Sequence, residues 1–240
     1  MQFIPIKTRI IQPPQDAIWD VIDGLSIQDG DIVFITSKIL AIHQGRTRVV
    51  GSVSKQELMK QEASHHRVYQ HPDDFEVNLT ITDGTLILAA GIDESNADGH
   101  YVLWPTGVDS FCQTIRQRII DRTGVKRLGV VATDSHSTPL RLGVVGMAIG
   151  LAGVEPLKDI RGAEDIFGRE IHLTRINMVD PLAAMAVQLM GEAAETTPVL
   201  ILRDYDGIVY DAHASSATYR VLPENDVYKP LLDVIPPVEP

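Results

Sequence analysis

The sequence contains a single cysteine, Cys112. One thiol closes no intramolecular disulfide and builds no cysteine zinc site, which excludes a disulfide scaffold and a zinc ribbon. Its setting, "DSFCQTIRQRIIDRTG", places it at helical spacing among apolar residues, the pattern of plain core packing. Basic residues are also scarce: 21 Lys and Arg stand against 32 Asp and Glu, a formal net charge of -11, with no long basic run. That balance argues against a nucleic-acid backbone binder. It leaves room for an anionic small molecule if a metal ion stands between ligand and protein. No window approaches the ~18 uninterrupted apolar residues of a membrane span, and "MQFIPIKTRIIQPPQ" lacks the basic-then-apolar layout of a secretion signal. A cytoplasmic protein with neither nucleic-acid nor membrane partner is the expectation. G-x-x-x-x-G-K-[ST], G-x-G-x-x-G between strand and helix, and G-x-S-x-G are all missing, so a nucleotide, if bound, uses another route and hydrolase triads gain little support.

What is present suits one large domain or two intimate lobes: 240 residues, 44% apolar and 22% charged. Strands are expected at 3–11, 31–39, 85–90, 101–105, 127–134, 169–174 and 198–204, and helices at 15–23, 54–66, 109–124 and 180–193. Ser54 with Glu57 makes a capping box, while Asp109 and Gly124 bracket the third helix. In "LGVVGMAIGLAG" (142–153) glycines recur through an apolar stretch, which reads as close backbone packing. The Pro-rich end, "VIPPVEP", reads as surface-bound or loose.

Four apolar runs end alike, in a polar or charged group. They lead into Ser37-Lys38, Asp93-Glu94-Ser95-Asn96, Asp134-Ser135-His136 and Asp204. In an α/β protein such termini can meet at one sheet edge, where ligands bind. Magnesium and manganese take oxygen ligands, commonly one or two carboxylates completed by water and phosphate. Asp93 and Asp134, with Ser135 and Asn96 beside them, offer that set, and Lys38 can meet a phosphate as a point charge. An aspartate after a strand also commonly opens a turn or caps a helix. His65, His66 and His71 lie near Asp73 and Asp74, but adjacent helical histidines diverge, so a solvated helix end is favoured over a zinc site. His136 either lines the pocket or packs in a turn.

"GDIVFITSKI", "AAGIDESN", "TDSHSTPLRLGVVGMAIGLAGVEPLKDIRGAEDIFGREIHLT" and "VDPLAAMAVQLMGEAAETTPVLILRD" together resemble the coenzyme F420-0:L-glutamate ligase family, in order over about residues 30–204. The resemblance implies a mixed-sheet, two-lobed α/β fold over residues 1–240, paired as an intertwined homodimer. It also implies an enzyme that uses GTP (or ATP) and Mg2+ or Mn2+ to join L-glutamate to the carboxylate of coenzyme F420-0 through an acyl phosphate. It assigns Ser37, Lys38 and Asn96 to the nucleotide, Asp93, Asp134 and Ser135 to metal, and Arg141 with the two aspartates to catalysis. His136 and Arg161 become phosphate or carboxylate contacts, the arginines being equally open to structural salt bridges. Departures fall at the nucleotide and acceptor: "IQPPQD" replaces a nucleotide loop, Ile42 stands where a second lysine is usual, and "DSHSTP" replaces a more glycine-containing segment. A C-terminal nucleotide stretch, sought at 205–219, has no match. A folate branch of the family offers a second acceptor. Two other readings stay open: a member that binds nucleotide or pterin without turnover, and an unrelated metallohydrolase using the same aspartates.

Overall fold

A computed structural model describes residues 1–238. The chain runs β1 (Gln2–Ile6), α1 (Trp19–Asp23), β2 (Asp31–Thr36), α2 (Ser37–His43), β3 (Thr47–Val49) and α3 (Lys55–Glu62). Then come β4 (His65–Gln70), β5 (Glu76–Thr82), β6 (Thr85–Leu88), β7 (His100–Val102), α4 (Val108–Thr123) and β8 (Leu128–Ser137). β9 (Val144–Ala152), β10 (Leu157–Asp159), β11 (Arg175–Asn177), α5 (Val179–Met190), β12 (Val199–Arg203) and α6 (Lys229–Leu232) follow. The fold is α/β with several sheets, the largest of mixed direction in the order β1-β12-β2-β8-β9. Only β2 and β8 are parallel neighbours; the other pairings in that sheet are antiparallel.

Continuous apolar runs in β2, β8 and β12 follow from burial on both sheet faces. Val33 and Ile35 pack with α1, α2 and α4, whereas Ile32 and Phe34 pack with α5. Each such fully buried side chain contributes about 1.5–3 kcal/mol. The glycines of β9 let helices approach the sheet from both sides. A Cβ at Gly146 would stand 2.6 Å from the Val187 Cβ of α5, and one at Gly150 2.5 Å from the Val108 Cγ1 of α4. β4-β5-β6 and β3-β7 form separate small sheets, and α3 buries Leu58 and Met59 in a third apolar cluster with Ile92, Tyr101 and Leu103.

Several expectations need correction. The first strand ends at Ile6 and the first helix begins at Trp19. Ser37 and Lys38 open α2 directly after β2 instead of ending a strand, because Ile39 to Ile42 extend the apolar run that masks the junction. α3 has its capping box but stops at Glu62, where Ala63 turns extended; His65 and His66 therefore lie on a strand, and His66 hydrogen-bonds Asn78 at 2.7 Å. Gly107, not Asp109, is the N-cap of α4. The Asp109 carboxylate instead accepts from the Leu151 amide at 2.8 Å and the Ser216 hydroxyl at 2.7 Å. No strand spans 169–174; a single bridge joins Glu170 to Glu164 and the strand lies at Arg175–Asn177. The Pro-rich end is packed as far as Val238: Ile235 is buried, and Pro236 and Val238 bond the backbone of His66 and Ser64 beside β4. The last two residues lie outside the described part. Among the described residues no helix is long and apolar enough to cross a membrane.

Candidate functional site

Strand direction determines what reaches the site. Parallel pairing sets Thr36 opposite Thr133, so Ser37 and Asp134 emerge side by side at one sheet edge. β12 runs against β2, and its beginning, not its end, lies at that edge: the Thr36 amide donates to the Pro198 carbonyl at 3.0 Å. Asp204 is thus carried to the opposite edge, where Arg203 clasps the buried Asp31 at 2.7 and 2.9 Å. By the same logic β1 ends at the near edge, and the Thr8 amide donates to the Thr196 carbonyl at 2.9 Å. A cavity of about 730 Å3 opens there, lined by parts of 8–13, 36–42, 93–98, 133–135 and 187–198.

Asp93 reaches this cavity from outside the large sheet. Its amide and carbonyl exchange hydrogen bonds with Val102 at 2.9 and 2.8 Å. The turn before it closes at Gly91, which has a positive φ of 67° and lies against the Trp104 ring where any Cβ would collide. So anchored, the Asp93 carboxylate stands 2.7 Å from the Lys38 ammonium, which also donates to the Ser95 carbonyl at 2.7 Å. Asn96, at a positive φ of 52° that asparagine tolerates, donates to the Ala193 carbonyl at 2.8 Å.

Asp134 follows a register shift between Ala132 and Thr133 in the β8–β9 pairing, and such irregularities re-aim side chains beside sites. Its carboxylate accepts from the Ser135 amide at 2.7 Å. Desolvation pushes its pKa up to about 7, the charges of Asp93 and Glu192 adding to the rise and the Ser135 amide and Ser37 hydroxyl opposing it. Excess negative charge around a half-buried carboxyl is relieved by a cation.

The donor chemistry fits Mg2+ or Mn2+: Asp93, Asp134 and the Ser135 hydroxyl are hard oxygen ligands facing one cavity, with positions left for water and phosphate. Among the described residues no group of three or more His, Cys, Asp or Glu is gathered so as to hold a metal ion. The balance of charge also suits a cation. Asp93, Asp98, Asp134, Glu192 and Glu195 line the cavity against Lys38 and Arg9, and Arg9 is engaged by Asp16 and Asp20 at 2.6 and 2.7 Å.

Ser37, Lys38, Asp93, Asn96, Asp134 and Ser135 are thus brought together. His136, Arg141 and Arg161 do not line this cavity. Arg141 is exposed at the β8–β9 turn, and Arg161 is exposed and bound to Asp159. The sought 205–219 stretch is elsewhere, with Tyr210 bonded to Gly30 and Ser216 to Asp109. Of the lining segments, 8–13 overlaps the "IQPPQD" stretch already set at a nucleotide loop, whereas the "GEAAETTP" loop at 191–198 that carries Glu192 escaped sequence reading. The usable signal was the cluster of glutamate and threonine between a Gly-capped helix and Pro198.

The sequence model of the F420-0:gamma-glutamyl ligase family matches residues 5–204. A coenzyme F420:L-glutamate ligase of Methanocaldococcus jannaschii is 35% identical over 77% of this chain and 79% of its own length. Its counterpart in Archaeoglobus fulgidus is 34% identical over 85% and 87%, and that in Methanosarcina acetivorans 29% identical over 93% and 92%.

Proposed function

This chain belongs to the F420-0:gamma-glutamyl ligase family, a family of ligases, and we propose that it adds L-glutamate to the carboxylate of coenzyme F420-0 with GTP and Mg2+ or Mn2+. The observation that carries the reading is the meeting of Lys38, Asp93 and Asp134 in one cavity, the cation and carboxylates that a metal-bound triphosphate needs.

Amide formation from a free carboxylate needs an activated acyl group. In the proposed sequence an acceptor carboxylate oxygen attacks the γ-phosphorus, the bond to the β–γ bridging oxygen breaks, and acyl phosphate and GDP result. The glutamate amine then attacks the acyl carbon, loses a proton and expels inorganic phosphate. Asp93, Asp134 and Ser135 would hold a divalent cation, which would supply charge neutralisation during phosphoryl transfer. Lys38 contributes a point charge to the phosphates, and Ser37 and Asn96, which line the same cavity, orient the nucleotide. Glu192 is a further cavity carboxylate close enough to raise Asp134, and we assign it to the same cation-binding surface.

The two-lobed homodimer belongs to this proposal. The β8–β9 turn and the β10–β11 connection leave Leu140 (96%), Leu142 (105%), Ile166 (91%) and Phe167 (89%) exposed, apolar side chains that a partner surface would cover. In the proposed dimer a second copy covers these arms, which carry Arg141 and Arg161.

One observation favours a second reading. Ile42 lines the cavity and is buried, giving an apolar floor where the resemblance leads one to expect another cation. This supports binding of a nucleotide or pterin without turnover. Glutamate-dependent nucleotide turnover tests the ligase reading: a ligase turns over GTP or ATP repeatedly only with both glutamate and acceptor present, a hydrolase without either, and a pure binder never.

A further inference from the structure

Lys38 is held more firmly than a phosphate contact alone requires. Its ammonium lies 2.7 Å from an Asp93 carboxylate oxygen, donates to the Ser95 carbonyl at 2.7 Å and reaches the Ser95 hydroxyl at 3.3 Å. Asp93 is itself fixed through Val102, so the two charges meet between rigid elements, the first turn of α2 and the bridged 93–102 segment. The carboxylate assigned to a divalent cation is therefore already neutralised by a cation of the chain. Arg9 cannot substitute, since Asp16 and Asp20 engage it. An ammonium and a divalent ion at contact with one carboxylate repel each other, so the presence of either weakens binding of the other.

We propose that Lys38 is a resident counter-cation that makes divalent-metal loading conditional on the nucleotide. Asp93 exchanges the ammonium for Mg2+ or Mn2+ more readily when a triphosphate takes up Lys38. The site consequently selects the metal–triphosphate chelate and discriminates against free metal. Asp98, Asp134 and Glu192 alone would draw free cations into the cavity, and the lysine opposes that attraction. This inference rests on the ligase reading for the identity of its two ligands, and extends it to how they enter.

The test uses the full chain without turnover. Mn2+ is titrated alone, free ion being followed by electron paramagnetic resonance, and again with a β–γ methylene analogue of GTP. Lys38→Met removes the charge; Lys38→Gln removes it while retaining a donor for the Ser95 carbonyl, which protects the fold; Lys38→Arg keeps the charge. Asp93 is 51% exposed in its side chain, so screening limits the effect to about one decade. Lys38→Met and Lys38→Gln should bind Mn2+ alone about tenfold more tightly than the parent, and bind Mn2+ with the analogue more weakly. Lys38→Arg should stay near the parent for Mn2+ alone. Equal or weaker binding of free Mn2+ by both neutral variants, or no binding by any protein, overturns the proposal. The two failures are separable: the opposed changes in a chain that adds no glutamate leave the exchange standing and remove the ligase reading, whereas glutamate addition without those changes does the reverse.

Discussion

At the scale of single residues, Asp93 and Asp134 share a cavity but not an environment. Asp93 meets the Lys38 ammonium, while desolvation first, and the charges of Asp93 and Glu192 next, push the Asp134 carboxyl up to about 7. Asp93→Asn keeps the backbone bonds to Val102 and should lower metal-dependent kcat by about 100-fold or more with little change in Tm; a variant losing chiefly Tm would mark Asp93 as structural. For Asp134 the folded value exceeds the unfolded value of 3.8, so the unfolded chain gives up its proton first as pH rises. The group then destabilises the fold progressively from about pH 4 to about pH 7, and fully above that. Asp134→Asn should therefore raise Tm at pH 8 and change it little at pH 4, while abolishing turnover. A cation at Asp134 must displace its proton below pH 7, so Mn2+ affinity measured calorimetrically should climb by up to about tenfold per pH unit toward pH 7 and flatten beyond.

At the scale of elements, the glycines of β9 give a sharp expectation. Gly150→Val sets new methyl groups beyond a Cβ that already meets Val108 at 2.5 Å, and should destabilise by about 1–3 kcal/mol in urea titration. Element type was legible wherever a pattern was long, as in the apolar runs of β2, β8 and β12, the Gly-stopped α4 and the capped start of α3, although β2 and α3 end earlier than read and α4 is capped by Gly107. Direction was not legible. Whether a strand delivers its start or its end to an edge depends on its partners, so Asp204 was read toward a site that 8–13 and 191–198 actually line. Short polar strands such as "HHRVYQ" escaped because an exposed edge strand has no apolar period to reveal it. The polar core of the site was legible because Asp93, Asn96 and Asp134 each follow an apolar run; Glu192 was not, because its loop precedes the strand it serves.

At the scale of the whole molecule, the proposed homodimer would tie assembly to chemistry through the apolar arms. Replacing Leu142 and Phe167 together by aspartate should convert a dimer to a monomer in sedimentation while leaving the large sheet folded, since both side chains are almost wholly exposed within one chain. The most direct test of the central claim is mass spectrometry of coenzyme F420-0 and a reduced folate incubated in parallel with the chain, L-glutamate, Mn2+ and either GTP or ATP. A nucleotide-dependent gain of one glutamyl unit on coenzyme F420-0 is the predicted result. Gain on the folate alone would keep the reaction and change the acceptor, whereas nucleotide and metal binding without any glutamyl product on either acceptor would contradict the account.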